Sequence, residues 1–182
     1  MRPWPWEQFA FINWINLKNM PKNNSKILAI DPGTREMGIA FLEEGKLIYH
    51  GVKVIGKKKT PSEALKEGRR IILRLIKDFK PGALVLEKAF FANNQSAALL
   101  NVFVDEIKAI GRRKGLKVMS FAPSTVKKAI CGNSRASKKE VARVIISKYP
   151  ELKVYLTQDR AWKEEYHQNM FDAVALGMMV KS

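Results

Sequence analysis

Two short, unbroken apolar runs, each ending in a carboxylate, restrict this chain more than any other feature of its sequence. Ile27-Leu28-Ala29-Ile30 stops at Asp31-Pro32-Gly33, and Ala83-Leu84-Val85-Leu86 stops at Glu87. Four apolar residues bounded by turn formers suit a strand buried on both faces, which calls for a sheet with helices above and below it. Residues 37–42 and Lys46 to Val54 flank Glu43-Glu44-Gly45 and read as a hairpin, so the sheet begins with antiparallel strands. Thr60-Pro61-Ser62-Glu63 joins an N-cap, a first-turn proline and a capping box. Leu65, Gly68, Ile72, Leu75 and Phe79 then recur at steps of three and four until Lys80-Pro81-Gly82 ends the helix.

Further helices are expected over 94–113, with Leu100, Val104, Ile107 and Ile110 as an apolar stripe, and from the capping box Ser137-Lys138-Lys139-Glu140 through Lys148. A strand is expected over 116–120 and a last helix over 169–180. Strands followed by alternating helices and strands give an α/β protein: a mixed five-stranded sheet with helices on both faces.

Residues 26–182 thus make one domain. Residues 1–25 read as an N-terminal extension that need not be part of the fold, holding Trp4, Trp6 and Trp14 and ending in the polar run 21–25. A docking helix, a membrane-surface contact and a disordered tail all stay open for it, as does a start at Met20.

Charge narrows the partners. The chain carries 33 Lys and Arg against 17 Asp and Glu, a net charge of +16. Such a field favours a polyanion, because phosphates neutralised by a protein release their counterions. The single cysteine, Cys131, cannot form an intrachain disulfide, and no apolar run approaches the ~20 residues needed to span a bilayer. A cytoplasmic setting, with no membrane partner and no small-molecule cofactor, is the expectation.

The chemistry rests on isolated acids. Asp31 and Glu87 end core strands, and Asp172 opens the apolar stretch 173–179. A carboxylate at the end of a buried strand needs a cation, hydrogen bonds or exposure, or it protonates. Taken singly, Asp31 could bond its own turn, Glu87 could pair with Lys88, and Asp172 could complement a helix dipole. If the strand ends are neighbours, the three can instead converge on one site at the carboxyl edge of the sheet. Oxygen ligands suit Mg²⁺ or Mn²⁺ rather than zinc. Two such ions about 4 Å apart would activate water and stabilise the leaving oxygen in phosphodiester hydrolysis.

These segments resemble the RuvC-type Holliday junction resolvases, which have a ribonuclease H-like fold. Residues 27–38, from the first run through Asp31-Pro32-Gly33-Thr34-Arg35-Glu36-Met37-Gly38, are similar to that family's opening strand and turn. Residues 87–94, from Glu87 to Asn94, resemble its second acidic segment, and Asp172-Ala173-Val174-Ala175-Leu176-Gly177 its metal-binding helix. Val126-Lys127-Lys128, with Gly132 and Lys138, matches the spacing of its basic junction-binding region.

The resemblance implies a homodimer that makes paired cuts across a four-way DNA junction, leaving 5′-phosphate and 3′-hydroxyl ends. It also implies that Asp31, Glu87 and Asp172 ligate metal and that Phe90 stacks on an unpaired base. Lys127 and Lys138 would contact the substrate near the cut, with Lys128, Arg135 and Lys139 extending the basic surface. A dimer face on Leu100, Val104 and Ile107 is one reading of that stripe; packing on the sheet is the other.

One position departs from the family, which usually has Asp or His three residues before the last Asp. Here Asn169 stands there, with His167 two further back. Asn169 offers a neutral carbonyl oxygen one helical turn from Asp172, while His167 could substitute only if the helix start bends. The missing charge predicts a weaker second ion and a preference for Mn²⁺. Two alternatives remain: a resolvase-like ribonuclease of ribosomal RNA maturation, and a module that binds branched nucleic acid without cutting it.

Overall fold

The computed structural model describes residues 15–16, 25–56, 60–88, 95–156 and 161–181. Its strands are β1 (Ile15–Asn16), β2 (Lys26–Asp31), β3 (Glu36–Glu43), β4 (Lys46–Val54), β5 (Ala83–Glu87), β6 (Lys117–Phe121) and β7 (Val180–Lys181). Its α-helices are α1 (Pro61–Phe79), α2 (Gln95–Arg113), α3 (Pro123–Cys131), α4 (Lys138–Lys148) and α5 (Ala161–Met178), and a 3₁₀ helix covers Pro150–Tyr155.

The five-stranded sheet has the order β4-β3-β2-β5-β6. β3 runs antiparallel to β2 and β4, and β5 runs parallel to β2 and β6. The β3–β4 turn is tight, with Glu44 and Gly45 both at positive φ (50° and 74°). That is the backbone hand a two-residue hairpin turn needs to match the twist of its strands. Tyr149 fixes this turn from outside, its hydroxyl donating to the Gly45 carbonyl at 2.9 Å.

The two apolar runs become adjacent central strands, Ile27 through Ile30 opposite Ala83 through Leu86. Their side chains alternate between the sheet faces, so each run feeds two cores. Leu28, Ile30, Leu84 and Leu86 pack with Ile72 of α1 and Phe103, Ile107 and Ile110 of α2. Ile27, Ala29, Ala83 and Val85 pack with Val141 and Ile145 of α4 and Val174 and Leu176 of α5. Each fully buried Leu, Ile or Val contributes about 1.5–3 kcal/mol, which is why the helices settle on both faces, as expected.

α5 lies close on β2 and β3. A Cβ at Gly38 would collide with the backbone carbonyl of Asn169, and one at Gly177 with the Leu42 side chain. Glycine at both positions lets the helix backbone approach the strands and fixes where along the sheet its side chains fall.

Three expectations change. α5 begins at Ala161, eight residues before the expected start, and α3 was not anticipated. Val104 and Ile107 are buried within the chain, at 1% and 0% exposure, so they form core rather than a dimer face. Of the extension, Ile15–Asn16 pairs in parallel with Val180–Lys181; Trp4, Trp6 and Trp14 lie outside the described residues. No described helix is long and apolar enough to cross a membrane.

Candidate metal centre and nucleic-acid face

Strand parity assembles the site. Ile27 and Ala29 face α5, so Asp31, two residues on, points the same way; Ala83 and Val85 do the same for Glu87. Because Ile30 pairs with Leu86, the two carboxylates stand at the same level on neighbouring parallel strands. Asp172 comes down from α5, one turn beyond Asn169, whose backbone Gly38 admits against β3. Asp31, Glu87, Asn169 and Asp172 line one cavity of about 270 Å³, with Lys127 and Lys138 on its rim and Val126, Val141 and Ala175 on its apolar walls.

Local structure fixes the lysines as well. Lys138 is the first residue of α4, immediately after a reciprocal cap in which Ser137 Oγ accepts from the Glu140 backbone N–H (3.2 Å) and Glu140 accepts from the Ser137 N–H (2.7 Å). Lys127 sits on α3, a helix bounded by Pro123 at its first turn and by Gly132 in the left-handed conformation at its end. That proline and glycine were the sequence signal for α3.

The electrostatics are those of acids held together without a counter-charge large enough to balance them. Burial pushes the Asp31 carboxyl well above the usual range, and the charges of Asp172 and Glu87 push it further against the pull of Lys138. Glu87 rises from 4.5 to about 7, through burial and then Asp172, with Lys138 and Lys127 opposing. Burial also raises Asp172, opposed by Lys138, by a hydrogen bond from Gln168 and by Lys127. Lys138 Nζ lies 3.8 Å from Asp172 Oδ2, while Gln168 Nε2 donates to Oδ1 at 2.9 Å.

As placed, no three His, Cys, Asp or Glu side chains among the described residues stand close enough to hold one ion. The three acids nevertheless line the same cavity. The donors on offer, three carboxylates and a carboxamide with no thiolate or imidazole lining the cavity, fit a hard divalent cation.

The other anticipated residues fall elsewhere. His167 does not line the cavity; its ring packs on Tyr155 at 4.7 Å, and Tyr155 meets His50 at 5.5 Å on the β4 side of α5. Lys128, Arg135 and Lys139 are exposed and do not line the cavity, and Phe90 lies outside the described residues. Gln168 was missed, although its i,i+4 spacing to Asp172 is the signal for such a bond.

Positive charge is distributed unevenly. On α1 and α2 most of the cations are paired: Arg70 with Glu67, Arg74 with Asp78, Lys108 with Asp105, and both Arg69 and Arg113 with Glu106. Of Lys127, Lys128, Arg135, Lys138, Lys139 and Arg143, around α3 and α4, only Lys138 forms a salt bridge within 4 Å among the described residues. Part of the unpaired positive charge therefore lies on α3 and α4, the helices that bring Lys127 and Lys138 to the cavity.

Comparison with known proteins identifies the family. The family model for crossover junction endodeoxyribonuclease RuvC matches residues 27–160, a span that ends just before α5. Among curated relatives, the crossover junction endodeoxyribonuclease RuvC of Geotalea uraniireducens (strain Rf4) is 34% identical over 125 residues, covering 66% of this chain and 73% of the relative. That of Prochlorococcus marinus subsp. pastoris is 32% identical over 125 residues, covering 66% and 80%.

Among solved structures, Thermus thermophilus RuvC aligns with a TM-score of 0.67 at 23% identity, covering 85% of this chain and 92% of that one. The same protein in complex with Holliday junction substrate aligns with a TM-score of 0.67 at 19% identity, covering 85% and 90%. The yeast mitochondrial Holliday junction resolvase Ydc2 gives 0.66 at 14%, covering 88% and 80%. These structures establish the ribonuclease H-like fold, and the family match reaches across most of the sequence. The chain belongs to the RuvC family of crossover junction endodeoxyribonucleases.

Proposed function

We propose that this protein is a divalent-metal-dependent endonuclease that hydrolyses phosphodiester bonds at four-way DNA junctions. The observation that carries the reading is the convergence of Asp31, Glu87 and Asp172 on one cavity at the carboxyl edge of the sheet, beside Lys127 and Lys138.

In this reading Asp31, Glu87 and Asp172 would hold Mg²⁺ or Mn²⁺, two ions being expected, and Asn169 would offer a neutral oxygen. Bound there, the ions would polarise the scissile phosphate and lower the pKa of an attacking water. The chain's own groups do the rest. Lys127 and Lys138 hold the phosphate at the cavity mouth, while the apolar walls of Val126, Val141 and Ala175 limit bulk water. Lys128, Arg135 and Lys139 grip the duplex arms through their backbones, and Phe90 stacks on an unpaired base at the crossover. Paired cuts call for a homodimer, which has to use a surface other than Val104 and Ile107 because the fold consumes both.

The test is incubation of the protein with a labelled synthetic four-way junction, a linear duplex and a structured RNA, in Mn²⁺ and in Mg²⁺, beside Asp31→Asn. Metal-dependent cleavage of the junction, lost in Asp31→Asn with binding retained, is the expected result. Binding without cleavage would make the protein a junction-binding module instead, and preferred cleavage of RNA would move it to the ribonuclease branch.

A further inference from the structure

The two oxygens of Asp172 are held differently. Oδ1 accepts from Gln168 Nε2 at 2.9 Å, a bond between side chains one helical turn apart on the same rigid element. Oδ2 faces Lys138 Nζ at 3.8 Å, too long for a hydrogen bond, from a lysine side chain that is 64% exposed while Asp172 itself is 25% exposed. One partner is short, local and part-buried; the other is long, comes from a different helix and reaches in from solvent.

We propose that Gln168 is a positioning residue for Asp172: its carboxamide holds Oδ1 and so commits Oδ2 to the cavity, where Lys138 stands as a displaceable cation until a divalent ion takes its place. The inference rests on the metal-site reading above and adds a residue which that reading does not require. Three features support it.

An amide N–H can donate to a carboxylate but cannot ligate a cation, so Oδ1 stays with Gln168 when metal enters. An ammonium on a flexible four-carbon stem gives way readily, and once displaced it is free to meet the phosphate of incoming DNA. Finally, the residue next to Gln168 is Asn169, whose backbone is pressed against Gly38. The helix turn bearing both carboxamides therefore cannot shift, and the Gln168 bond reaches Asp172 from a fixed origin.

Hydrogen-bond partners of metal-ligating carboxylates typically carry about 10–100-fold of metal affinity. Removing the Gln168 amide is therefore expected to weaken ion binding by about tenfold.

The experiment measures the Mn²⁺-dependent rise in melting temperature of the full chain without DNA, from EDTA to millimolar Mn²⁺, for wild type, Gln168→Met, Gln168→Glu and Lys138→Met. Gln168→Met keeps the side chain's length and loses the donor. Its midpoint should move about tenfold to higher Mn²⁺, whereas its melting in EDTA should stay near that of the wild type. Lys138→Met removes the competing cation, and its midpoint should move to lower Mn²⁺. Gln168→Glu sets a second charge beside Asp172, so it should melt lower than wild type in EDTA and gain more from Mn²⁺.

An unmoved midpoint in Gln168→Met, with wild type responding normally, overturns the proposal. So does a loss of melting temperature that is equal with and without Mn²⁺, since that is what a purely structural role gives. Should Gln168→Met fail to fold, Gln168→Glu decides: a Mn²⁺ gain no larger than the wild-type gain refutes the role. A wild type whose melting does not respond to Mn²⁺ at all would instead sink the metal-site reading on which the proposal rests.

Discussion

Replacing Glu87 by glutamine should make the metal-free protein more stable at neutral pH and less responsive to metal. The Glu87 carboxyl is raised from 4.5 to about 7 in the folded protein, so between those values the folded state holds a proton that the unfolded state has released. Stability therefore falls as pH rises through that window. Below 4.5 the side chain is neutral in both states and contributes no difference; above about 7 the full penalty is present. At about 1.36 kcal/mol per pH unit the gap is worth about 3 kcal/mol, and solvent access to the strand end trims it to about 2–3 kcal/mol. For a chain of this size that is a rise in melting temperature of roughly 5–10 °C.

Glutamine has nearly the same shape and no charge, so in EDTA at pH 8 the Glu87→Gln protein should melt higher by that amount, and the two curves should converge near pH 4. Added Mg²⁺ or Mn²⁺ should reverse the order, because an ion at about 100 times its dissociation constant stabilises the wild type by about 2.7 kcal/mol and loses a ligand in the variant. Thermal melting from pH 4 to 8, with and without metal, reads all of this. A pH-independent difference in EDTA, or a variant less stable than wild type at pH 8, would refute the reasoning.

Gly38→Ala should cost about 3 kcal/mol or more in urea denaturation and remove the metal-dependent stabilisation, since its methyl can be accommodated only by moving the turn of α5 that carries Asn169 and Asp172. Cleavage should run faster in Mn²⁺ than in Mg²⁺, and Asn169→Asp should narrow the ratio; equal rates of the wild-type protein in both ions would contradict the assigned role of Asn169. Neutralising Lys128, Arg135 and Lys139 together should lower the slope of log affinity against log salt by about 0.9 for each phosphate that is no longer neutralised, measured on a junction by fluorescence anisotropy. An unchanged slope would place those side chains away from DNA.

Much of this architecture could be read from the amino acids alone, for reasons visible in particular residues. Asp31 and Glu87 stood out because unbroken apolar runs end on them, and strand parity then put both on one face of the sheet. Capping boxes at Thr60 and Ser137 fixed two helix starts to the residue. The start of α5 was not legible, because residues 161–168 mix aromatic and charged side chains without an apolar stripe. α3 is short, with a single buried residue, Val126, so it has no periodicity to detect. Val104 and Ile107 show the limit of an amphipathic stripe: the pattern says that a face is covered, but not whether the cover is the chain's own sheet or another molecule. Gln168 escaped notice because only the orientation of Asp172 makes a bond of that spacing meaningful.

The pairing of most cations on α1 and α2, against Lys127, Lys128, Arg135, Lys139 and Arg143 around α3 and α4, which form no salt bridge among the described residues, has a consequence before any contact is made. Compensated charges cancel within a few ångströms, whereas those without a salt bridge project a field over about one Debye length, roughly 8 Å at physiological salt. On the proposed function, a molecule so built would feel a torque near a polyanion and turn the cavity edge forward while still diffusing. Collisions that would otherwise be spent on the back of the protein become productive, and the advantage fades as added salt shortens the reach of the field.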